Sequence, residues 1–129
     1  MNGFITEYLS TLIGQPIVYG ENDCHIMSLT VIDMLLGTNY RDEIYQRYTS
    51  PTGGRKYAKE HCSYKSLNAL CNDLGTKQVE PFDGDILITG SQSTVYWRGK
   101  VIISIDGVYA VMKYEPIENN YKIYRFGGK

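Results

Sequence analysis

Five side chains of the types that bind zinc occur as two adjacent pairs and a single cysteine, namely Cys24-His25, His61-Cys62 and Cys71. Thiolate and imidazole are the usual zinc ligands, so this set invites a metal site. Structural zinc sites use pairs two to four residues apart, however, and adjacent residues on a helix do not face the same point. The spacing therefore predicts no metal site, and the sequence contains no motif for a cofactor.

Cysteine chemistry would depend on two histidines, because His is the side chain that ordinarily exchanges protons near neutral pH. A cysteine nucleophile needs such a base in contact with it. His25 follows Cys24 directly, about 100° further around a helix, and adjacent helical residues do not face each other. His61 lies in a polar linker. Cys24 is thus a candidate nucleophile without an evident base, and packing as a small apolar side chain is the other interpretation.

The polar, turn-rich stretch that follows Thr38 has an uneven charge. Residues 41–65 hold six basic and three acidic side chains, a balance of +3 in a chain of net charge −1, so the remainder carries −4. This asymmetry, with its tyrosines, predicts a surface for an acidic protein partner. A solvated connector with short helical pieces is the alternative, with Thr52-Gly53-Gly54 as a flexible turn. The predicted partner contacts are Arg47, Tyr48, Arg55 and Lys56.

Helical spacing of apolar residues appears three times in the first part of the chain. A first amphipathic helix is predicted over residues 4–13, where Gly14 ends it. The run Glu21-Asn22-Asp23 supplies cap residues and acids for the first turn of a second helix, which Gly37 ends. This second helix is apolar around most of its circumference and is therefore predicted to be central and buried. A further helix is predicted over residues 67–74, ended by Gly75.

Short runs of β-branched and aromatic residues follow, at residues 86–88, 94–97, 101–105, 108–112 and 121–126. Asp106-Gly107 lies between two of them and is a strong signal for a two-residue hairpin turn. That turn sets Lys100 opposite Lys113. It also predicts one apolar face, made of Val101, Ile103, Ile105, Val108, Ala110 and Met112. Helices followed by an antiparallel sheet make an α+β fold.

Length and composition predict a single domain over residues 1–129, with a helical part at about 3–75 and a sheet part at about 84–126. A net charge of −1 excludes a nucleic-acid-binding footprint over the whole molecule. No stretch approaches the ~18 apolar residues of a membrane span, and the first residues do not form a secretory signal. Three irregularly spaced cysteines favour a reducing compartment, so synthesis is expected in the cytoplasm.

The order of these elements resembles the NlpC-type cell-wall peptidases of papain-like fold. It is closer still to a family of small phage proteins related to those peptidases. The resemblance covers about residues 4–126 and is carried by short motifs: Gly20-Glu21-Asn22-Asp23-Cys24, Gly37-Thr38, Arg47-Tyr48, the helix ending at Gly75, Gly84-Asp85-Ile86, and the run from Val101 to Tyr109.

The resemblance implies a papain-like domain with Cys24 where the peptidases hold their nucleophile, in the first turn of a helix. Their histidine opens the strand after the Gly-Asp strand and is followed by a glycine two residues on and by a second polar orienting group. At the matching positions this chain has Lys100 and Ile102. A lysine does not readily replace imidazole, because it keeps its proton at neutral pH. The resemblance therefore implies a domain that has lost its base.

Two hypotheses follow from the resemblance. The first is a non-catalytic phage virion component that docks on other phage structural proteins in the tail or neck. It would be made in the host cytoplasm and then incorporated into the virion, and it needs no cofactor. The second is a cysteine peptidase or amidase that acts on peptidoglycan peptides, with Cys24 as nucleophile and an unconventional base such as His61.

Overall fold

The computed structural model describes residues 3–116 and 120–127, so the ends of the predicted domain and residues 117–119 lie outside the described part. Helices come first and an antiparallel sheet of order β1-β6-β2-β3-β4-β5 follows, which confirms the α+β prediction. The elements are α1 (Gly3–Leu12), α2 (Cys24–Leu36), a short 3-10 helix (Arg41–Glu43), α3 (Pro51–His61), α4 (Leu67–Leu74), β1 (Thr76–Gln78), β2 (Ile86–Thr89), β3 (Gln92–Trp97), β4 (Lys100–Ile105), β5 (Val108–Lys113) and β6 (Lys122–Arg125). No helix in the described ranges is long and apolar enough to cross a membrane.

Helix α2 is the central element, as the sequence predicts. Its N-cap is Asp23, whose carboxylate accepts hydrogen bonds from the main-chain N–H groups of His25 and Ile26. It ends at Gly37, which adopts the left-handed conformation at φ 70°. Its apolar side chains are buried on several sides, and β3 packs against it. The start of α2, where Cys24 lies, is therefore fixed by both a cap and the core.

Helix α3 corrects the prediction of a flexible turn at Thr52-Gly53-Gly54. Ser50 caps this helix by accepting a hydrogen bond from Gly53 N, and Pro51 occupies the first turn. Gly54 is buried against the ring of Tyr48, where an added Cβ would lie 2.8 Å from a ring carbon. The cap and this close contact outweigh the low helix propensity of two adjacent glycines.

The β4–β5 hairpin has the predicted register, with Lys100 opposite Lys113 and positive φ at both Asp106 and Gly107. The six residues predicted to form one apolar face do share a face, but most of that face is not buried. Of its six residues only Val101 is fully buried, and Ile105 and Met112 are exposed. The helices cover the opposite face of the hairpin, so Ile102 and Tyr109 enter the main core instead.

The sheet also begins earlier than predicted, because β1 pairs with β6 at Thr76–Gln78. This strand is short, polar and largely exposed, so it lacks the alternation of apolar residues that identifies a strand in a sequence. The predicted strand runs at residues 86–88, 94–97, 101–105, 108–112 and 121–126 all contain or overlap strands of the structure.

Candidate functional site

A cleft of about 490 Å³ opens beside the N-terminus of α2. Cys24, the first residue of α2, is half-buried in its wall. The side chains that bear on its chemistry are Tyr19, Cys24, Arg55, Ser93, Ser104 and Tyr109, and we call this space the Cys24 cleft. A smaller hollow of about 220 Å³ adjoins it and shares Cys24, Arg55 and Ser93.

The Cys24 cleft exists because β3 and β4 separate. Their ladder holds only two residue pairs, Tyr96 with Val101 and Trp97 with Lys100. At the next position the Thr94 hydroxyl donates to the Ile102 carbonyl at 2.6 Å and accepts from the Ile102 N–H at 2.9 Å. A side chain thus replaces the next main-chain contact and holds the strands apart. Beyond this point the strands form the two walls of the cleft.

Asp23 organises the loop that leads to Cys24. Its carboxylate is 4% exposed and accepts hydrogen bonds from the N–H groups of Gly20, His25 and Ile26. The Tyr48 hydroxyl donates to both carboxylate oxygens, at 2.8 and 2.7 Å. Gly20 has φ 90° and lies so close to the main-chain carbonyl of Tyr48 that a Cβ would collide with it. Every strong acceptor position of Asp23 is therefore in use.

The prediction of Tyr48 as a partner contact is wrong. Its side chain is 8% exposed, its ring packs against Gly54, and its main-chain carbonyl lies against Gly20. Burial, reinforced by the Asp23 carboxylate, raises the pKa of Tyr48 well above its ordinary value, so its hydroxyl stays protonated and donates. Tyr48 is a structural support of the Cys24 loop.

His25 is held on the side of α2 that faces the linker. Its Nε2 atom is 2.9 Å from the Tyr64 hydroxyl, and its ring lies against Tyr48 and Tyr64. Burial lowers the pKa of His25, and the nearby Asp23 carboxylate opposes this shift only in part. His25 also borders the small hollow next to Cys24, but its hydrogen bond fixes the ring to Tyr64.

His61 and Lys100, the other two residues considered for the role of base, lie away from the Cys24 cleft. His61 is near the surface at the end of α3, with its ring tilted against that of Tyr57 at 4.7 Å between centroids, and does not line the cleft. Lys100 is exposed at the start of β4, opposite Lys113. Lys100 opens β4, whereas the strand that directly follows Gly84-Asp85 and β2 is β3. The strand expected to carry the base is therefore β3 and not β4.

The residue that β3 does bring to Cys24 is Ser93. Its hydroxyl donates to the Cys24 carbonyl at 3.1 Å and is 2.7 Å from the Ser28 hydroxyl on the next turn of α2. Both serines are buried. Sequence reasoning missed Ser93, Thr94 and Tyr109. Only the hairpin register, which puts Tyr109 opposite Ser104 on the same face as Ile102, could have indicated Tyr109.

The predicted basic contacts other than Tyr48 are all at the surface, since Arg47, Arg55 and Lys56 are exposed. Arg55 also lines the Cys24 cleft, whereas Arg47 and Lys56 do not. Within residues 3–116 and 120–127, no three His, Cys, Asp or Glu side chains come together in a way that could hold a metal ion.

A family model described as Domain of unknown function (DUF6950) matches residues 4–122, which is most of the chain. The chain belongs to this family. No curated protein and no solved structure matches it. The match runs from α1 to the start of β6 and so includes every residue of the Cys24 cleft and the Asp23 network.

Acid is expected to destabilise this family member through His25. The pKa of His25 in the folded chain lies below its ordinary value of 6.5 because the ring is buried. The unfolded chain then binds more protons, so the free energy of unfolding is at its full value above that ordinary pKa. It falls as the pH drops from there past the folded pKa. Urea denaturation of wild type and His25→Gln at about pH 7 and about pH 5 tests this, with part of the fall absent in the variant.

His61→Gln is the matched control, because the His61 side chain is 58% exposed and is not part of the buried cluster. It should show the same loss of stability on acidification as wild type. An equal effect of the two replacements would contradict the role given to His25.

Proposed function

We propose that this chain is a non-catalytic docking module of papain-like fold that assembles into a phage particle, at the tail, neck or tail tip. Its partners are then other phage structural proteins, and it is made in the host cytoplasm before it enters the virion. The resemblance to NlpC-related phage proteins supports the phage setting. A cysteine at the start of a central helix, packed against an antiparallel sheet, supports the papain-like fold.

The observation that carries the non-catalytic proposal is that no base is in place beside Cys24 among the described residues of the cleft. Ser93 on β3 bonds to the Cys24 carbonyl, and its hydroxyl is also engaged with Ser28. Among the described residues of the Cys24 cleft, none is a histidine, and the Asp23 carboxylate is occupied by four donors. A thiol without a base cannot be activated by the usual proton transfer.

The basic surface supports docking. Arg47, Arg55 and Lys56 are exposed, and Arg55 and Lys56 lie on α3, a helix that also carries Lys59. Such a cluster attracts an acidic partner and sets its orientation. Charge reversal at Arg47, Arg55 and Lys56 together is expected to lower incorporation into particles by about tenfold or more, measured by quantifying the protein in purified particles.

A matched triple variant reverses Lys77, Lys100 and Lys113, which are exposed on the sheet and not on α3. It should enter particles at the wild-type level. Normal incorporation of the α3-side variant, or absence of the wild-type protein from particles, would contradict the proposal.

One observation favours a second function, a cysteine peptidase or amidase acting on peptidoglycan peptides. Cys24 is the first residue of α2 and lines an open cleft, which is where a nucleophilic thiol would have to be. Incubation of the purified protein with muropeptides distinguishes the two functions. The docking proposal expects no turnover above that of Cys24→Ala. Turnover that disappears in Cys24→Ala would establish the enzyme instead.

A further inference from the structure

Tyr109 carries a buried hydroxyl that has no hydrogen-bond partner among the described residues. The side chain is 3% exposed and lines the Cys24 cleft from β5, together with Cys24 and Asp23. Burial raises the pKa of Tyr109 well above its ordinary value, so the group is a neutral donor. A buried hydroxyl in a native protein ordinarily has a partner, and one on a residue that lines a cleft can obtain it from a ligand.

The other polar groups of the cleft show which kind of ligand fits. Asp23 is saturated by main-chain donors and Tyr48, so it offers nothing to a ligand. Among the described residues, Arg55 at the cleft makes one long contact, 3.4 Å, with the Thr52 hydroxyl. Tyr109 therefore offers a hydroxyl donor, and Arg55 offers a guanidinium. Both suit a ligand rich in acceptors, and a guanidinium matches a carboxylate best.

The walls of the cleft favour an extended backbone. Tyr109 N and O bond to Gln15 and Gly14 on the outer side of β5, so the main-chain groups of its partner Ser104 point towards β3. The same alternation applies to β3. The Tyr96 N–H donates to the Asp85 carbonyl, on the side away from β4. The main-chain groups of Ser93, three residues earlier, therefore point towards β4. Ser93 and Ser104 would pair if the ladder continued, but it stops before them. Two strand edges that do not pair with each other therefore face each other across the cleft.

We propose that the Cys24 cleft binds an extended, carboxylate-bearing peptide segment of the docking partner between β3 and β4. The Tyr109 hydroxyl donates to an acceptor of this segment, Arg55 binds its carboxylate, and the main-chain groups of Ser93 and Ser104 pair with its backbone. The proposal rests on the docking function proposed above and assigns that function to a defined site. The bound peptide would add a strand at an interior gap of the sheet, and strand addition is a known mode of peptide binding.

Fluorescence anisotropy of the full chain with two labelled pentapeptides tests the site, one alternating glutamate and valine and the other alternating lysine and valine. The acidic peptide should bind and the basic peptide should not. Tyr109→Phe removes only a hydroxyl without a partner, so it should fold normally and weaken binding by about tenfold. Arg55→Gln should weaken it similarly, and Lys77→Gln, an exposed residue outside both the cleft and the basic surface, should not. Amide signals of Ser93 and Ser104 should shift when the acidic peptide is added.

Equal binding of both peptides, no binding up to about 1 mM, or unchanged binding by Tyr109→Phe would overturn the site. These outcomes are separate from the fate of the docking function. If reversal of Arg47, Arg55 and Lys56 prevents particle incorporation while Tyr109→Phe enters particles normally, docking stands and the cleft is not its site. Hydrolysis of muropeptides by Cys24 would reject docking itself.

Discussion

Replacement of Asp23 by alanine is expected to lower the free energy of unfolding by about 3–5 kcal/mol. The carboxylate caps α2 and accepts from Gly20 N and from the Tyr48 hydroxyl as well as from two helix N–H groups. Its removal leaves these donors buried without a partner, and such groups cost far more than an ordinary hydrogen bond contributes. Urea denaturation followed by circular dichroism measures the loss.

Two variants separate the causes. Tyr48→Phe removes one of the donors and should cost only about 1–2 kcal/mol. Asp42→Ala removes an exposed carboxylate that makes a single 4.0 Å contact with Arg41, so its effect should stay within about 0.5 kcal/mol. If Asp23→Ala lowers the free energy of unfolding by less than Tyr48→Phe does, the Asp23 network does not hold the Cys24 loop.

Replacement of Arg125 by methionine is expected to cost about 3–5 kcal/mol, because it leaves a buried charge without its partner. Asp85 is 1% exposed and accepts from Arg125 Nε at 2.9 Å and Nη2 at 2.8 Å. The pair joins β6 to the start of β2. The main-chain N–H of Phe82 is the other donor to this carboxylate, at 2.8 Å, and cannot balance the charge alone. Thermal and urea denaturation measure the loss.

The double variant Asp85→Asn with Arg125→Met should be more stable than the sum of the two single losses predicts, since it removes the isolated charge. Lys122→Met, on the same strand but exposed, is the control and should change stability by about 0.5 kcal/mol or less. Strict additivity of the two single effects would contradict an interaction between Asp85 and Arg125.

Local signals made much of the scaffold predictable. Asp23 and Gly37 mark the two ends of α2. Asp106-Gly107 fixes the register of the hairpin, because both residues adopt the positive φ that its turn requires. These features depend on neighbours in the sequence. The face of the hairpin that enters the core depends on where the helices pack, so Tyr109 and Ile102 could not be chosen over Val101 and Met112 from the pattern alone.

The parts that could not be predicted depend on contacts between distant residues. Tyr48 reads as a surface residue among basic neighbours, yet it reaches Asp23 twenty-five positions earlier and packs on Gly54. Helix α3 forms although two glycines lower its propensity, because Ser50 and Tyr48 supply a cap and a packing surface. The Cys24 cleft depends on the hydrogen bonds between the Thr94 hydroxyl and Ile102, and no pattern of residues in the sequence predicts them.

Thr94 gives the opening between β3 and β4 an unusual origin. In this chain the Thr94 side chain keeps the two strands apart, because its hydroxyl binds both main-chain groups of Ile102. The width of the cleft therefore depends on one residue. A substitution at Thr94 alone is therefore expected to change the separation of β3 and β4 while every loop keeps its length.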